Sequence, residues 1–139
     1  ELLPLVQPDA DRYRVQVIVD CDGALVVNGD AAMLHQAFLN LALNACQAMP
    51  EGGTLRITCR RAGRGRVSIL FADTGVGIKP EHLGRIFDLY FTTKPEGSGI
   101  GLSMVYRIVQ MHDGDIEIES TPGVGTTFKI LLPEALAEP

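Results

Sequence analysis

Long apolar stretches are missing from this 139-residue sequence, in which no run approaches the roughly 20 apolar residues of a membrane-spanning helix. No secretory signal peptide is recognisable at its start. Positive charge is also scarce, because 12 Lys and Arg face 17 Asp and Glu. The net charge of −5, without a basic face, disfavours nucleic-acid binding. The length matches one domain with a real hydrophobic core.

Cysteine is scarce as well, with Cys21, Cys46 and Cys59 widely scattered along the chain. An odd and irregular set indicates neither a disulfide framework nor a zinc site. Because Cys46 falls in a helical pattern and Cys59 in a strand pattern, we expect small buried hydrophobic side chains in a reducing cytoplasm.

Charged residues are absent from 35–49, which contain no Asp, Glu, Lys or Arg. At about 100° per residue, apolar side chains cover most of this predicted helix. A helix facing bulk water should display Lys and Glu, so its remaining polar stripe is expected to face an enclosed polar space. That stripe, named here the amide stripe, consists of Gln36, Asn40, Asn44 and Gln47.

Two members of the amide stripe, Asn40 and Asn44, are four residues apart and therefore lie on the same side of the helix. Their carbonyl oxygens suit Mg²⁺, a hard cation that proteins share with water and phosphates. The alternative is that both amides hydrogen-bond a neighbouring loop.

A carboxylate and two glycines follow the predicted strand 67–72, in the sequence Asp-Thr-Gly-Val-Gly-Ile at 73–78. Asp73 at the strand end can accept a hydrogen bond from an exocyclic amine. Gly75 and Gly77 let a flat ligand approach the backbone, since glycine has no Cβ and tolerates positive φ. The alternative is a plain turn at the end of a strand.

A second glycine-rich segment, Gly-Ser-Gly-Ile-Gly-Leu at 97–102, opens a helical pattern. Free backbone N–H groups at a helix N-terminus form a natural phosphate site. The spacing matches neither the dinucleotide fingerprint nor a P-loop, which disfavours dehydrogenase and P-loop functions. The segment 123–128 (Gly-Val-Gly-Thr-Thr-Phe) adds a turn into a final strand.

Patterning predicts the order of the elements. They are a strand at 14–19 with a short partner at 25–27; a helix from Ala31, capped by Asp30 and ended by Gly52-Gly53; a hairpin of 54–60 and 66–72; a short helix from Pro80 to about Phe87; a helix at about 101–112; and a hairpin of 115–120 and 126–132. The basic turn 60–66 is expected to be solvated, and is only a weak candidate for an anion-docking point.

The amide stripe and the three glycine-containing segments at 73–78, 97–102 and 123–128 occur in this order along the chain. Together they resemble the catalytic ATP-binding domain of sensor histidine kinases, in the superfamily that includes gyrase, Hsp90 and MutL. Residues 85–94 resemble the phenylalanine segment and short lid of the nitrogen-regulator type. The resemblance implies an α/β two-layer sandwich of the Bergerat type. Its mixed, mostly antiparallel sheet would have about five strands, covered on one face by about three helices.

The resemblance also implies roles for individual residues. Asp73 would hydrogen-bond the adenine amino group of ATP or ADP, with Gly77 and Thr126 completing the pocket directly or through water. Asn44 would coordinate the Mg²⁺ that bridges the phosphates. Asn40 would support that metal or contact phosphate.

Lys94 is the candidate for a γ-phosphate contact, which makes Asn40, Asn44 and Lys94 the implied catalytic set. Many relatives carry Lys or Arg where Gln47 stands, so phosphate neutralisation would depend more on Lys94, Arg85 and the metal. The remaining implied nucleotide-binding residues are Gln47, Gly75, Ile78, Phe87, Phe91, Thr92, Thr93, Ser98, Gly99, Ile100, Gly101 and Leu102.

Asn40 stands where the gyrase-, Hsp90- and MutL-like ATPases carry a Glu that activates water. An amide has no useful basicity, so the site lacks its own general base. This favours presentation of ATP to an already nucleophilic histidine, since phosphoryl transfer needs chiefly positioning and charge stabilisation.

None of the histidines has the flanking residues of a phosphoacceptor. His35 lies in the amide helix, His82 is expected at the surface, and His112 near a helix C-terminus would suit a cationic imidazole. The acceptor histidine is therefore expected on a separate dimerisation domain of a larger kinase, which would signal to a response regulator. Residues 1–12 would be a connector remnant, 13–133 the catalytic domain and 134–139 a frayed tail.

The isolated domain is expected to be a cytoplasmic monomer, and the parent kinase a homodimer that is membrane-anchored or soluble. Two alternatives use the same motifs. The first is a nucleotide-sensing module without phosphotransfer, and the second is an interaction domain with an empty pocket.

Overall fold

The structure is a computed structural model that describes residues 14–21, 29–63, 65–84, 86 and 101–134. Its elements alternate between strands and helices. They are β1 (Val15–Cys21), α1 (Ala31–Gln47), β2 (Gly53–Gly63), β3 (Arg66–Asp73), α2 (Pro80–Leu83), α3 (Gly101–Met111), β4 (Asp115–Thr121) and β5 (Gly125–Pro133). The predicted connector 1–12 and the predicted strand 25–27 lie outside the described residues.

The strands form one five-stranded sheet in the order β1-β2-β3-β5-β4. β1 and β2 are parallel, and the other neighbouring strands are antiparallel. Both predicted hairpins are present, since β2 pairs with β3 and β4 with β5. The prediction of a mixed, mostly antiparallel sheet of about five strands is confirmed.

The helices cover one face of the sheet, where the hydrophobic core lies. Along β5, buried and half-buried residues alternate, because successive side chains of a strand point to opposite faces. α1 contributes apolar side chains from one side, such as Leu41, and its Phe38 ring lies 5.9 Å from that of Phe71 on β3. Of the helices that the structure describes, none has the length and hydropathy needed to cross a membrane.

α1 begins as the sequence predicts. The side chain of Asp30 accepts a hydrogen bond from the backbone N–H of Met33 at 3.1 Å, which caps the first turn. The predicted end at Gly52-Gly53 is wrong, because the helix stops at Gln47. Pro50 accounts for the early end, since a proline disfavours helical backbone at the residue before it.

Cys21 and Cys59 form a disulfide, which corrects the expectation of isolated cysteines. The parallel pairing of β1 with β2 places them directly opposite each other, with their Cα atoms 4.3 Å apart. Because these residues are 38 positions apart, their spacing in sequence gave no sign of this contact. Cys46 is a buried thiol, as predicted.

The basic turn carries arginines that are already matched with carboxylates. Arg60 lies 2.9 Å from Asp20, Arg61 3.0 Å from Glu134, and Arg66 2.9 Å from Asp115. Arg64, the fourth arginine of the turn, lies outside the described residues, so anion docking at the turn stays a weak prediction. Glu134 also donates its backbone N–H to Gly65, so this first residue of the predicted frayed tail is held in place.

Candidate functional site

Asp73 ends β3 and pairs directly with Thr126 at the start of β5. Both residues are buried, at 8% and 4% exposure. The Oδ1 atom of Asp73 accepts hydrogen bonds from the backbone N–H groups of Gly75 at 2.9 Å and Thr126 at 3.2 Å. The carboxylate is thus fixed by the backbone on both sides.

The loop that follows Asp73 is held between α1 and the β4–β5 hairpin. Val76 donates its N–H to the carbonyl of Ala48 just beyond α1, and accepts from Gly123 in the hairpin at 2.8 Å. Gly77 has φ +76°, and a Cβ there would meet the carbonyl oxygen of Thr121. Only glycine fits this close approach of the two segments.

The amide stripe is enclosed at its centre and open at its ends. Gln36 and Gln47 are exposed, whereas Asn40 and Asn44 are half-buried. Gln36 donates to the Asn40 carbonyl oxygen at 3.4 Å. The Nδ2 atom of Asn40 is buried and meets no hydrogen-bond acceptor among the described residues.

A buried amide donor without an acceptor costs free energy, and native proteins rarely retain one without a reason. A ligand oxygen would satisfy it. Within the described ranges, no three His, Cys, Asp or Glu side chains gather to hold a metal.

His112 differs from the expectation of a cationic imidazole. Its Nε2 atom accepts the backbone N–H of Asp30 at 3.0 Å, so this nitrogen carries no proton. Its Nδ1 atom lies 2.7 Å from the carbonyl oxygen of Ile108 and must donate to it. The ring is therefore neutral. His35 is exposed and His82 is half-buried.

Hydrogen bonds join the loop after β3 to the residue that follows α1, and the end of β3 to the start of β5. Gly101 and Leu102 form the start of α3, as predicted. The remaining candidates lie outside the described residues and stay predictions. They are Arg85, Phe87, Phe91, Thr92, Thr93, Lys94, Ser98, Gly99 and Ile100.

Sequence reasoning missed Ser120, whose hydroxyl accepts the backbone N–H of Ile78 at 2.7 Å and lies 2.8 Å from the Thr126 hydroxyl. Ser120 and Ile78 are 42 residues apart. One signal was available: Ser120 stands on the same predicted hairpin as Thr126, and its alternation on β4 turns it towards the half-buried face.

Comparisons with known proteins agree with this geometry. Residues 29–136 match the family described as histidine kinase-, DNA gyrase B-, and HSP90-like ATPase. The sensor histidine kinase ZraS of Escherichia coli (strain K12) is 41% identical over 132 residues, which is 94% of this chain and 28% of that protein. The chain thus spans less than a third of the curated relatives it matches.

Solved structures give the same result. Full-length ShkA in complex with AMPPNP is 29% identical with a TM-score of 0.88, over 98% of this chain and 29% of that one. The nucleotide-free catalytic domain of histidine kinase ThkA is 27% identical with a TM-score of 0.84, over 96% and 88% of the two chains. The chain belongs to the histidine kinase-, DNA gyrase B- and HSP90-like ATPase family, and within it is similar to the catalytic ATP-binding domains of sensor histidine kinases.

Proposed function

We propose that this chain binds Mg²⁺-ATP and presents the γ-phosphate to a histidine on a separate dimerisation domain, which then passes the phosphoryl group to a response regulator. The observation that carries the proposal is Asn40. It is an amide where a water-splitting ATPase needs a base, and its buried Nδ2 atom meets no acceptor among the described residues.

The base of the nucleotide would lie against Asp73 and Thr126. A buried carboxylate beside a strand end suits the exocyclic amine of adenine, because a carboxylate only accepts hydrogen bonds. The ring could approach the backbone at Gly75 and Gly77, with Ile78 beside them. That the structural relative ShkA is described with AMPPNP supports a nucleotide here.

The phosphates would lie along the enclosed part of the amide stripe, with Asn40 donating to a phosphate oxygen. The buried Nδ2 atom of Asn40 supports this role, because it needs an acceptor and a phosphate oxygen would supply one. Gln47 is exposed near the end of α1 and could reach the outer phosphate. The start of α3 at Gly101 would supply backbone N–H groups.

The donor set fits Mg²⁺. Asn44 offers a hard amide oxygen from a half-buried position on the same face of α1 as Asn40, and Mg²⁺ in nucleotide sites takes few protein ligands beside phosphates and water. When bound, Mg²⁺ would neutralise phosphate charge and orient the terminal phosphoryl group. The role of the chain would be to hold the triphosphate in place and to leave the attack to an external imidazole. Lys94 remains the predicted γ-phosphate contact.

The chain would act in the cytoplasm, where ATP is available. The isolated chain would be a monomer, whereas the full-length kinase would be a homodimer in which this domain meets its phosphoacceptor domain. Phosphotransfer tests it directly: γ-³²P-ATP and Mg²⁺ are incubated with this chain and a supplied dimerisation domain from a related kinase. An acid-labile, alkali-stable label on the acceptor histidine supports the proposal. Tight ATP binding without transfer to any cognate acceptor would instead favour a nucleotide-sensing module.

A further inference from the structure

The hydroxyl of Ser120 on β4 joins three segments of the chain. It accepts the backbone N–H of Ile78 at 2.7 Å and donates to the carbonyl oxygen of Gly125 at 3.2 Å. It also lies 2.8 Å from the hydroxyl oxygen of Thr126. A hydroxyl has one proton and two lone pairs, so these three contacts use its full hydrogen-bonding capacity.

The direction of the contact between Ser120 and Thr126 follows from counting protons. Because a carbonyl oxygen cannot donate, all three contacts of Ser120 are made at once only when its own proton goes to Gly125 and Thr126 supplies the proton in the 2.8 Å contact. Thr126 then has no proton left to donate elsewhere. Its hydroxyl oxygen keeps only acceptor capacity towards any ligand.

The backbone around these hydroxyls is fixed, so the pattern cannot easily rearrange. The loop and the hairpin are joined by the bond from Gly123 N–H to the Val76 carbonyl at 2.8 Å. The close approach of Gly77 to Thr121 leaves no space between the two segments. Thr126 is 4% exposed, so water cannot freely exchange with its partners.

We propose that Ser120 is a positioning residue that sets the base preference of the nucleotide site by fixing the proton of Thr126. The inference rests on the proposed function, since it assumes that a purine lies beside Asp73. With the Thr126 proton taken by Ser120, Asp73 and Thr126 both present acceptors. Two acceptors that face position 6 of a purine select an amine there. They disfavour a carbonyl at that position, because its lone pairs would face the lone pairs of Asp73 and Thr126.

The test compares ATP with inosine triphosphate, which carries a carbonyl where adenine carries the amine. Calorimetry with Mg²⁺ gives both affinities for the 139-residue chain and for Ser120→Ala, Ser120→Thr and Thr126→Val. In Ser120→Ala the Thr126 hydroxyl is released and can donate towards the base. We expect the ratio of ATP to inosine triphosphate affinity to fall about fivefold or more, the worth of one hydrogen bond. Ser120→Thr, which restores a hydroxyl, should keep the wild-type ratio.

If Ser120 had a purely structural role, Ser120→Ala would weaken the binding of both nucleotides equally and leave the ratio of their affinities unchanged. We expect Thr126→Val to lower the ratio of ATP to inosine triphosphate affinity. The double variant with Thr126→Val and Ser120→Ala should have the same ratio as Thr126→Val alone, because both changes act through the same proton. Thr126→Val also decides the question if Ser120→Ala fails to fold, since an unchanged ratio in that variant overturns the inference. An unchanged ratio of ATP to inosine triphosphate affinity in folded Ser120→Ala overturns this inference alone. A wild-type chain that binds neither nucleotide overturns the proposed function as well.

Discussion

The Nε2 atom of His112 accepts a hydrogen bond from the backbone N–H of Asp30 at 3.0 Å, although 82 residues separate them. Asp30 caps α1, and His112 follows the last turn of α3, so this bond ties the start of one helix to the end of the other. The ring also packs against Gly29, where a Cβ would collide with it. The two helices that border the proposed nucleotide site are thereby held together at one end.

His112→Phe should lower the free energy of unfolding by about 0.5–1.5 kcal/mol, because a ring of similar shape cannot accept the Asp30 N–H. His112→Gln is the matched control, since its side-chain oxygen can take the place of Nε2, and it should lose less. Urea denaturation followed by circular dichroism measures both. Equal stability of the phenylalanine variant and the wild type would show that the bond contributes nothing.

Asp73→Asn should weaken ATP binding by about 1–3 kcal/mol while the fold survives. The asparagine oxygen can still accept the N–H groups of Gly75 and Thr126, as Oδ1 of Asp73 does. Its amide, however, would present a donor to the adenine amine. Calorimetric titration with ATP and a thermal melt without ligand separate the two effects. An unchanged ATP affinity would remove Asp73 from the adenine pocket.

Asn44→Ala should abolish the dependence of ATP affinity on Mg²⁺, because the proposed metal ligand on α1 is lost. The wild type and Asn44→Ala are each titrated with ATP, once in the presence of Mg²⁺ and once in the presence of EDTA, so that each protein serves as its own reference. Gln36→Ala is the control, since it removes an exposed amide of the same stripe. If the alanine variant at 44 kept the wild-type response to Mg²⁺, the metal assignment would be wrong.

Gly125→Ala should destabilise the fold more than Gly123→Ala. Both glycines have positive φ, +152° and +80°, so both substitutions strain the backbone. A Cβ at 125 would also collide with the carbonyl oxygen of Asp73, whereas one at 123 would meet no atom within 4 Å among the described residues apart from its neighbours in the chain. Overpacking adds about 1–3 kcal/mol to the cost. Equal melting temperatures of the two variants would contradict this account of the β3–β5 contact.

Thiol titration tests the contact between β1 and β2. Protein purified without reductant and unfolded in guanidinium should show a single reactive thiol, that of Cys46, because Cys21 and Cys59 are joined. Reduction should release two more and lower the unfolding free energy by up to about 4 kcal/mol for a bridge across 38 residues. Cys46→Ser is the control and should show none before reduction. Three thiols without reductant would exclude the disulfide.

Features that depend on neighbours in sequence were predictable. The lack of charge along α1 predicts its burial, and both hairpins follow from strands joined by short glycine-containing turns. The position of Asp73 at the end of β3 was predictable, because this residue directly follows an apolar strand and precedes glycines. The C-terminal limit of α1 was predicted too late, at Gly52-Gly53, although Pro50 is a local signal for an earlier end.

Contacts between distant segments were decided by the tertiary structure alone. The insertion of β5 between β3 and β4 places Thr126 opposite Asp73 and brings Ser120 within reach of Ile78. The parallel pairing of β1 with β2 joins Cys21 to Cys59. Local periodicity reports which face of an element is buried, but not which element covers it. Sequence by itself therefore determined the elements and the polar character of the site, and the packing of the chain determined which polar groups hold one another in place.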